Sequence, residues 1–108
     1  MTIKWVKEDP LVMNGEPFCY GSRLTVRQLL EMRADGHTVT DLLKDHPELK
    51  LIGIASAYAY AAEHRARYAD FFEADGALAG PGMTADELDT LPPSLRIAGI
   101  TAKTAVAA

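Results

Sequence analysis

The sequence predicts a mainly α fold, with three helices in a helix-turn-helix arrangement behind an N-terminal β-hairpin and an extended C-terminal tail. Three observations carry that prediction. Thr25 with Gln28, and Thr38 with Asp41, are spaced as capping boxes, each just ahead of apolar residues at helical spacing. Upstream, Asn14-Gly15 is a strong hairpin-turn dipeptide between two apolar runs. Downstream, Ala74-Asp75-Gly76-Ala77-Leu78-Ala79-Gly80-Pro81-Gly82 has the texture of a linker.

The elements follow in order. Ile3, Trp5 and Val6 suggest a short first strand ended by Glu8-Asp9-Pro10, and Leu11-Val12-Met13 with Pro17-Phe18-Cys19-Tyr20 suggest a hairpin about Asn14-Gly15. Pro17 has no N–H to give a ladder, so its strand is an edge or pairs only in part. Gly21-Ser22 breaks that strand, and a first helix runs from Val26 to Ala34 with Gly36 as its left-handed terminator. A second, short helix carries Val39, Leu42 and Leu43 and stops at His46-Pro47, because the residue before proline is driven out of helical angles. The third and longest helix is predicted from Leu51 to Phe72, with Leu51, Ile54, Ala55, Tyr58 and Ala62 on its apolar face. Gly53 weakens its first turn by up to about 1 kcal/mol relative to alanine. Large apolar residues cluster before position 60, so the expected core centres on Leu29, Leu30, Leu42, Leu43 and Ile54.

These features divide the chain into residues 1–73, the hairpin and helices, and residues 74–108, a linker and tail. In the tail, Thr84 and Glu87 cap a brief turn holding Leu88, prolines extend Leu91 to Ile97, and the Ala/Thr-rich end is expected to be poorly ordered. The tail has two open readings. Leu91, Leu95, Arg96 and Ile97 form an arm that binds a partner, or these residues lie over the domain's own groove or that of a second copy.

Composition excludes several classes. At 108 residues the chain suits one modest core, and a net charge of −4 argues against a uniformly basic nucleic-acid binder while leaving room for a local basic patch. One cysteine forms no internal disulfide, and no Cys/His spacing suits zinc, which fits a reducing compartment. No apolar run has the length of a signal peptide or a membrane span, so the expected setting is cytoplasmic with no membrane partner. Gly15 and Gly21 lack the Gly-Lys-Ser/Thr of a phosphate loop.

Asp9-Pro10, Gly15-Glu16-Pro17, Gly21-Ser22-Arg23-Leu24-Thr25-Val26, Gly36, Pro47-Glu48-Leu49 and Ser56-Ala57-Tyr58-Ala59-Tyr60 together resemble the pattern of the bacterial and archaeal family called domain of unknown function 433. The resemblance covers Ile3 to about Tyr60, and the tail after Gly80 lies outside it. At the start of the last helix, Lys50, Ile52 and Gly53 stand where the family pattern has a threonine and an acidic pair. The resemblance implies a homeodomain-like helical domain behind a short hairpin, often dimeric. Many such proteins look like VapB-type antitoxins encoded beside PIN-like ribonuclease toxins.

The candidate site residues follow from charge and position. Arg23, in the bend, suits a phosphate or a partner carboxylate, or else ties the hairpin to the helices through backbone carbonyls. Arg27 and Arg33 would extend a basic strip with Arg23 and Lys50, or are simply a solvated face that Glu31 and Asp35 dilute, and Arg23, Arg27 and Lys50 are the nucleic-acid-binding candidates. Tyr58 is assigned to the core, and Tyr60 to base stacking or a groove. His37, His46 and His64 sit in separate elements as surface or capping residues, and Cys19 is expected to be buried. No catalytic constellation, metal site or cofactor site emerges. The expected function is antitoxin-like: a homodimer that neutralises a cognate PIN-like toxin and binds promoter DNA. A stand-alone helix-turn-helix regulator and a self-associating scaffold module are the alternatives.

Overall fold

The computed structural model describes residues 5–9, 11, 15–19, 22 and 24–102. Ile3, Val12, Met13, Asn14, Tyr20, Gly21 and Arg23, and the chain from Lys103 onward, lie outside the described residues. Two strands, β1 (Val6–Lys7) and β2 (Phe18–Cys19), form an antiparallel ribbon with Val6 opposite Cys19 and Lys7 opposite Phe18. The first strand is thus a partner of Phe18-Cys19, and the expected pairing of Leu11-Val12-Met13 about Asn14-Gly15 lies mostly outside the described residues. On its other side β2 meets the lead-in to the first helix: Cys19 N–H donates to the Leu24 carbonyl and Val26 N–H to that of Pro17, each at 2.9 Å. Pro17 therefore serves the ladder as an acceptor, the one backbone role a proline keeps.

Helices α1 (Val26–Ala34) and α2 (Val39–Asp45) occupy the predicted spans, and both capping boxes close. Thr25 Oγ1 accepts from Gln28 N–H at 3.0 Å while Gln28 Oε1 accepts from Thr25 N–H at 2.9 Å. Helix α3 (Leu51–Glu63) begins where expected but stops nine residues before Phe72. The predicted helix would be about 33 Å long at 1.5 Å per residue, against about 13.5 Å for α1, the helix it packs on. A continued helix of that length would extend well beyond the helix it packs on. Instead the chain turns at His64, Tyr68 folds inward to 1% exposure, and a single 3₁₀ turn (Ala69–Phe71) follows.

Gly53 has a packing reason. A Cβ there would lie 2.9 Å from Cys19 Sγ and 3.5 Å from Trp5 Cε3, so its absence lets the hairpin sit directly on the first turn of α3. The core gathers Val26, Leu29 and Leu30 of α1, Val39 and Leu42 of α2, and Ile54, Ala57, Tyr58 and Ala61 of α3, all essentially inaccessible. Leu43 is only half-buried against it.

The tail corrects two expectations. Leu78, Met83, Leu91 and Ile100 are buried in the same core, so its apolar residues do not end near position 60 and the segment after Gly80 is part of the fold. It lies over the domain's own helices, held by Arg33 NH1, which donates to the Ile100 carbonyl, and by Ala79 N–H, which donates to the Phe71 carbonyl at 2.9 Å; within the tail, Leu78 N–H donates to the Gly99 carbonyl and Met83 N–H to the Thr101 carbonyl, both at 2.8 Å. Within it, Thr84 and Glu87 close a capping box that opens helix α4 (Ala85–Asp89), and Pro93–Leu95 form a second 3₁₀ turn. Among the described residues, no helix is long and apolar enough to cross a membrane.

Candidate functional site

The basic strip expected along α1 is not continuous. Arg23 lies outside the described residues. Arg27, in the first turn of α1, forms an ion pair with Glu16 (Nε to Oε1, 3.8 Å) and donates from NH2 to the Arg67 carbonyl at 3.2 Å. Arg67 in turn reaches Glu16 Oε2 at 3.4 Å, and the two guanidinium carbons lie 5.2 and 5.8 Å from the centre of the Tyr68 ring. One carboxylate thus holds two arginines about an aromatic ring, and both arginines are engaged within the chain. Lys50 stands exposed at the N-cap of α3, outside this network and with no side-chain cap bond.

Arg33 departs furthest from expectation. Its side chain is fully buried, not part of a solvated face. The guanidinium lies 4.6 Å over the buried Tyr58 ring, a cation–π geometry. Its NH1 donates to the Ile100 carbonyl of the tail. Nε and NH2 have no hydrogen-bond partner among the described residues. Burial lowers the Arg33 pKa, with the Tyr58 phenol opposing, and burial pushes the Tyr58 phenol up to about 12. Arg33 also forms the seam with the tail, because Gly80 passes so close that a Cβ there would fall 1.8 Å from the Arg33 carbonyl oxygen. The sequence held a signal for this burial. Val26, Leu29, Leu30 and Arg33 fall at offsets of zero, three, four and seven, which places Arg33 on the apolar stripe of α1.

The partner-binding candidates separate. Leu91 is buried, and Leu95 and Ile97 pack half-exposed against the core. Arg96 is exposed, and the fold orients it: Nε donates to the Leu91 carbonyl at 2.9 Å and NH2 to the Asp89 carbonyl at 3.3 Å. Among the described residues it forms no ion pair. Tyr60 is half-buried, donates from its hydroxyl to the Glu8 carboxylate and stacks on His64 with ring centres 4.2 Å apart.

Cys19, His46 and His64 have structural places. Cys19 is inaccessible, and burial pushes its thiol up to about 11, the opposite of what a nucleophile needs. His46 and His64 are the C-caps of α2 and α3. Among the described residues, no group of three or more His, Cys, Asp or Glu side chains is placed to hold a metal ion.

The architecture defines a small helical domain in which a two-stranded hairpin seats on the longest of three packed helices. Residues 6–61 match the family described as protein of unknown function (DUF433). The match covers more than half of the chain, and the chain belongs to that family, as the motifs between Ile3 and Tyr60 imply. Comparison with curated proteins and with solved structures finds no match.

Proposed function

We propose that the chain is an antitoxin-like binding protein, working as a cytoplasmic homodimer, that neutralises a PIN-like ribonuclease toxin by covering its carboxylate-lined pocket. The observation that carries this reading is Arg96, an exposed cation fixed by two backbone carbonyls and with no ion-pair partner among the described residues. Its planar fork suits bidentate capture of a partner's carboxylate, and its fixed position lowers the ordering cost of binding. The accessible side chains of α3 add support for a protein partner over DNA. Ile52, Ser56, Ala59, Tyr60 and Glu63 include none of the Arg, Lys, Asn or Gln side chains that most often read base edges.

The test is co-expression with any PIN-like protein found to be encoded beside this chain. Wild type is expected to restore growth and to co-purify with the toxin. Arg96→Ala is expected to weaken the complex by at least about 2 kcal/mol, the threshold for an interface hot spot, while the free chain loses some stability with its two backbone hydrogen bonds but keeps its helical circular dichroism. Full protection by Arg96→Ala would remove Arg96 from the interface. Failure of the wild type to bind or neutralise any neighbouring toxin would end the antitoxin reading, and operator binding without a toxin would favour a stand-alone regulator.

A further inference from the structure

Beside Arg96 the tail forms an open pocket of about 260 Å³, lined by Ala85, Leu88, Asp89, Arg96, Ala98 and Ala102. Pockets for cofactors and drug-sized ligands run from about 300 to 1,000 Å³. This one is on the scale of one or two side chains. Its walls are alanine and leucine, and its only charged lining residues are Arg96 and Asp89. All six residues lie outside residues 6–61, so the pocket is built by the part of this chain beyond the family match.

The pocket is held in shape before any partner arrives. Ala98 and Ala102 form a bridge with each other, Met83 N–H donates to the Thr101 carbonyl at 2.8 Å, and Arg33 holds the Ile100 carbonyl from below. At the rim, Arg96 uses Nε and NH2 on backbone carbonyls, while NH1 makes no hydrogen bond among the described residues. An apolar hollow whose edge carries a guanidinium with no ion-pair partner among the described residues complements an apolar side chain next to a negative charge. A second acid would meet the Asp89 carboxylate on the same rim and be repelled.

We infer that this pocket is a preformed docking site for one anchor on a partner protein: a branched apolar side chain with a single carboxylate adjacent to it in sequence. This rests on the proposed function in taking the partner to be a protein. It goes further in naming the chemistry recognised and in making the tail a rigid receptor and not an arm that folds on binding.

The test titrates the full chain with three blocked dipeptides, N-acetyl-Leu-Asp-amide, N-acetyl-Leu-Asn-amide and N-acetyl-Ala-Asp-amide, and follows the amides of Leu88, Ala98 and Ala102 by NMR. Leu-Asp is expected to shift them saturably and to bind at least threefold more tightly than either of the other two. Ala98→Leu, which fills the hollow, and Arg96→Gln, which removes the charge, are each expected to abolish saturable binding, and Asp89→Asn to tighten it about twofold, since one opposing charge is lost. No saturable shift with Leu-Asp, or equal binding of Leu-Asn, would overturn the inference. The two readings separate in co-expression. A toxin neutralised equally well by Ala98→Leu would remove the pocket from the interface and leave the antitoxin reading standing. Selective Leu-Asp binding by a chain that neutralises no toxin would keep the pocket and end the antitoxin reading.

Discussion

Gly80 is where the path of the tail and the backbone of α1 meet most closely. With φ at +94°, a Cβ would lie 1.8 Å from the carbonyl oxygen and 2.5 Å from the carbonyl carbon of Arg33. No side-chain rotation relieves an overlap with backbone. Gly36 is the matched control, since its φ is +101° and nothing lies within 4 Å of its absent Cβ. Gly36→Ala should therefore cost only the left-handed conformation, about 1–2 kcal/mol. Gly80→Ala carries that cost and must also push the tail off α1. The first side chains uncovered are Leu78 and Ile100, at 0% and 2% exposure, each worth about 1.5–3 kcal/mol when fully buried. The expected result is a loss for Gly80→Ala at least about 2 kcal/mol larger than for Gly36→Ala, allowing for partial uncovering. Urea unfolding followed by circular dichroism measures the difference. Amide exchange locates it: Leu78 and Met83, whose N–H groups bond across the tail, should accelerate more than the amides of α1 and α3. Equal losses for the two variants, within about 0.5 kcal/mol, would refute the close seam between tail and helix.

Two further outcomes are expected. Leu42→Ala should cost roughly 2–5 kcal/mol, since Leu42 is 2% exposed, while its half-buried neighbour Leu43 should cost no more than about half as much; equal losses in urea melts would mean that the faces of α2 are misassigned. Stability should also fall as pH rises from about 9 to about 11, because the unfolded chain releases the Cys19 proton near the thiol's ordinary 9.0 while the folded protein holds it to about 11. The unfolded state binds fewer protons across that window, so the slope is negative. Cys19→Ala should remove roughly 1–3 kcal/mol of the alkaline loss, leaving the part due to Tyr58, Tyr60 and Tyr68, whose phenols are also raised, and an unchanged stability–pH curve would show that the thiol is not protected.

What the sequence by itself determined lies within a few residues along the chain. Thr25 with Gln28, Thr38 with Asp41 and Thr84 with Glu87 each bond across three residues, so the starts of α1, α2 and α4 are legible without knowing what packs on them. His46-Pro47 ends α2 by a steric rule local to the peptide bond. The motifs between Ile3 and Tyr60 placed the chain in its family on the same footing. Tertiary structure decided the rest. Local pattern suggested a hairpin of Leu11-Val12-Met13 with Phe18-Cys19 about Asn14-Gly15, whereas the ladder the structure shows joins Phe18-Cys19 to Val6-Lys7, and both strands pack on α3. The helical pattern from Leu51 to Phe72 is real, but the helix stops at Glu63, and Tyr68, Phe71 and Phe72 pack against the core. Arg33 read as a surface charge because charge is a property of the residue alone. Its burial depends on the Tyr58 ring and the Ile100 carbonyl, the latter 67 positions away. The tail read as an unpacked arm because no stretch of it has an apolar face long enough to fold alone. Leu78, Met83, Leu91 and Ile100 become core only against a surface that the three helices must first create, and that dependence on distant residues is what a linear pattern does not contain.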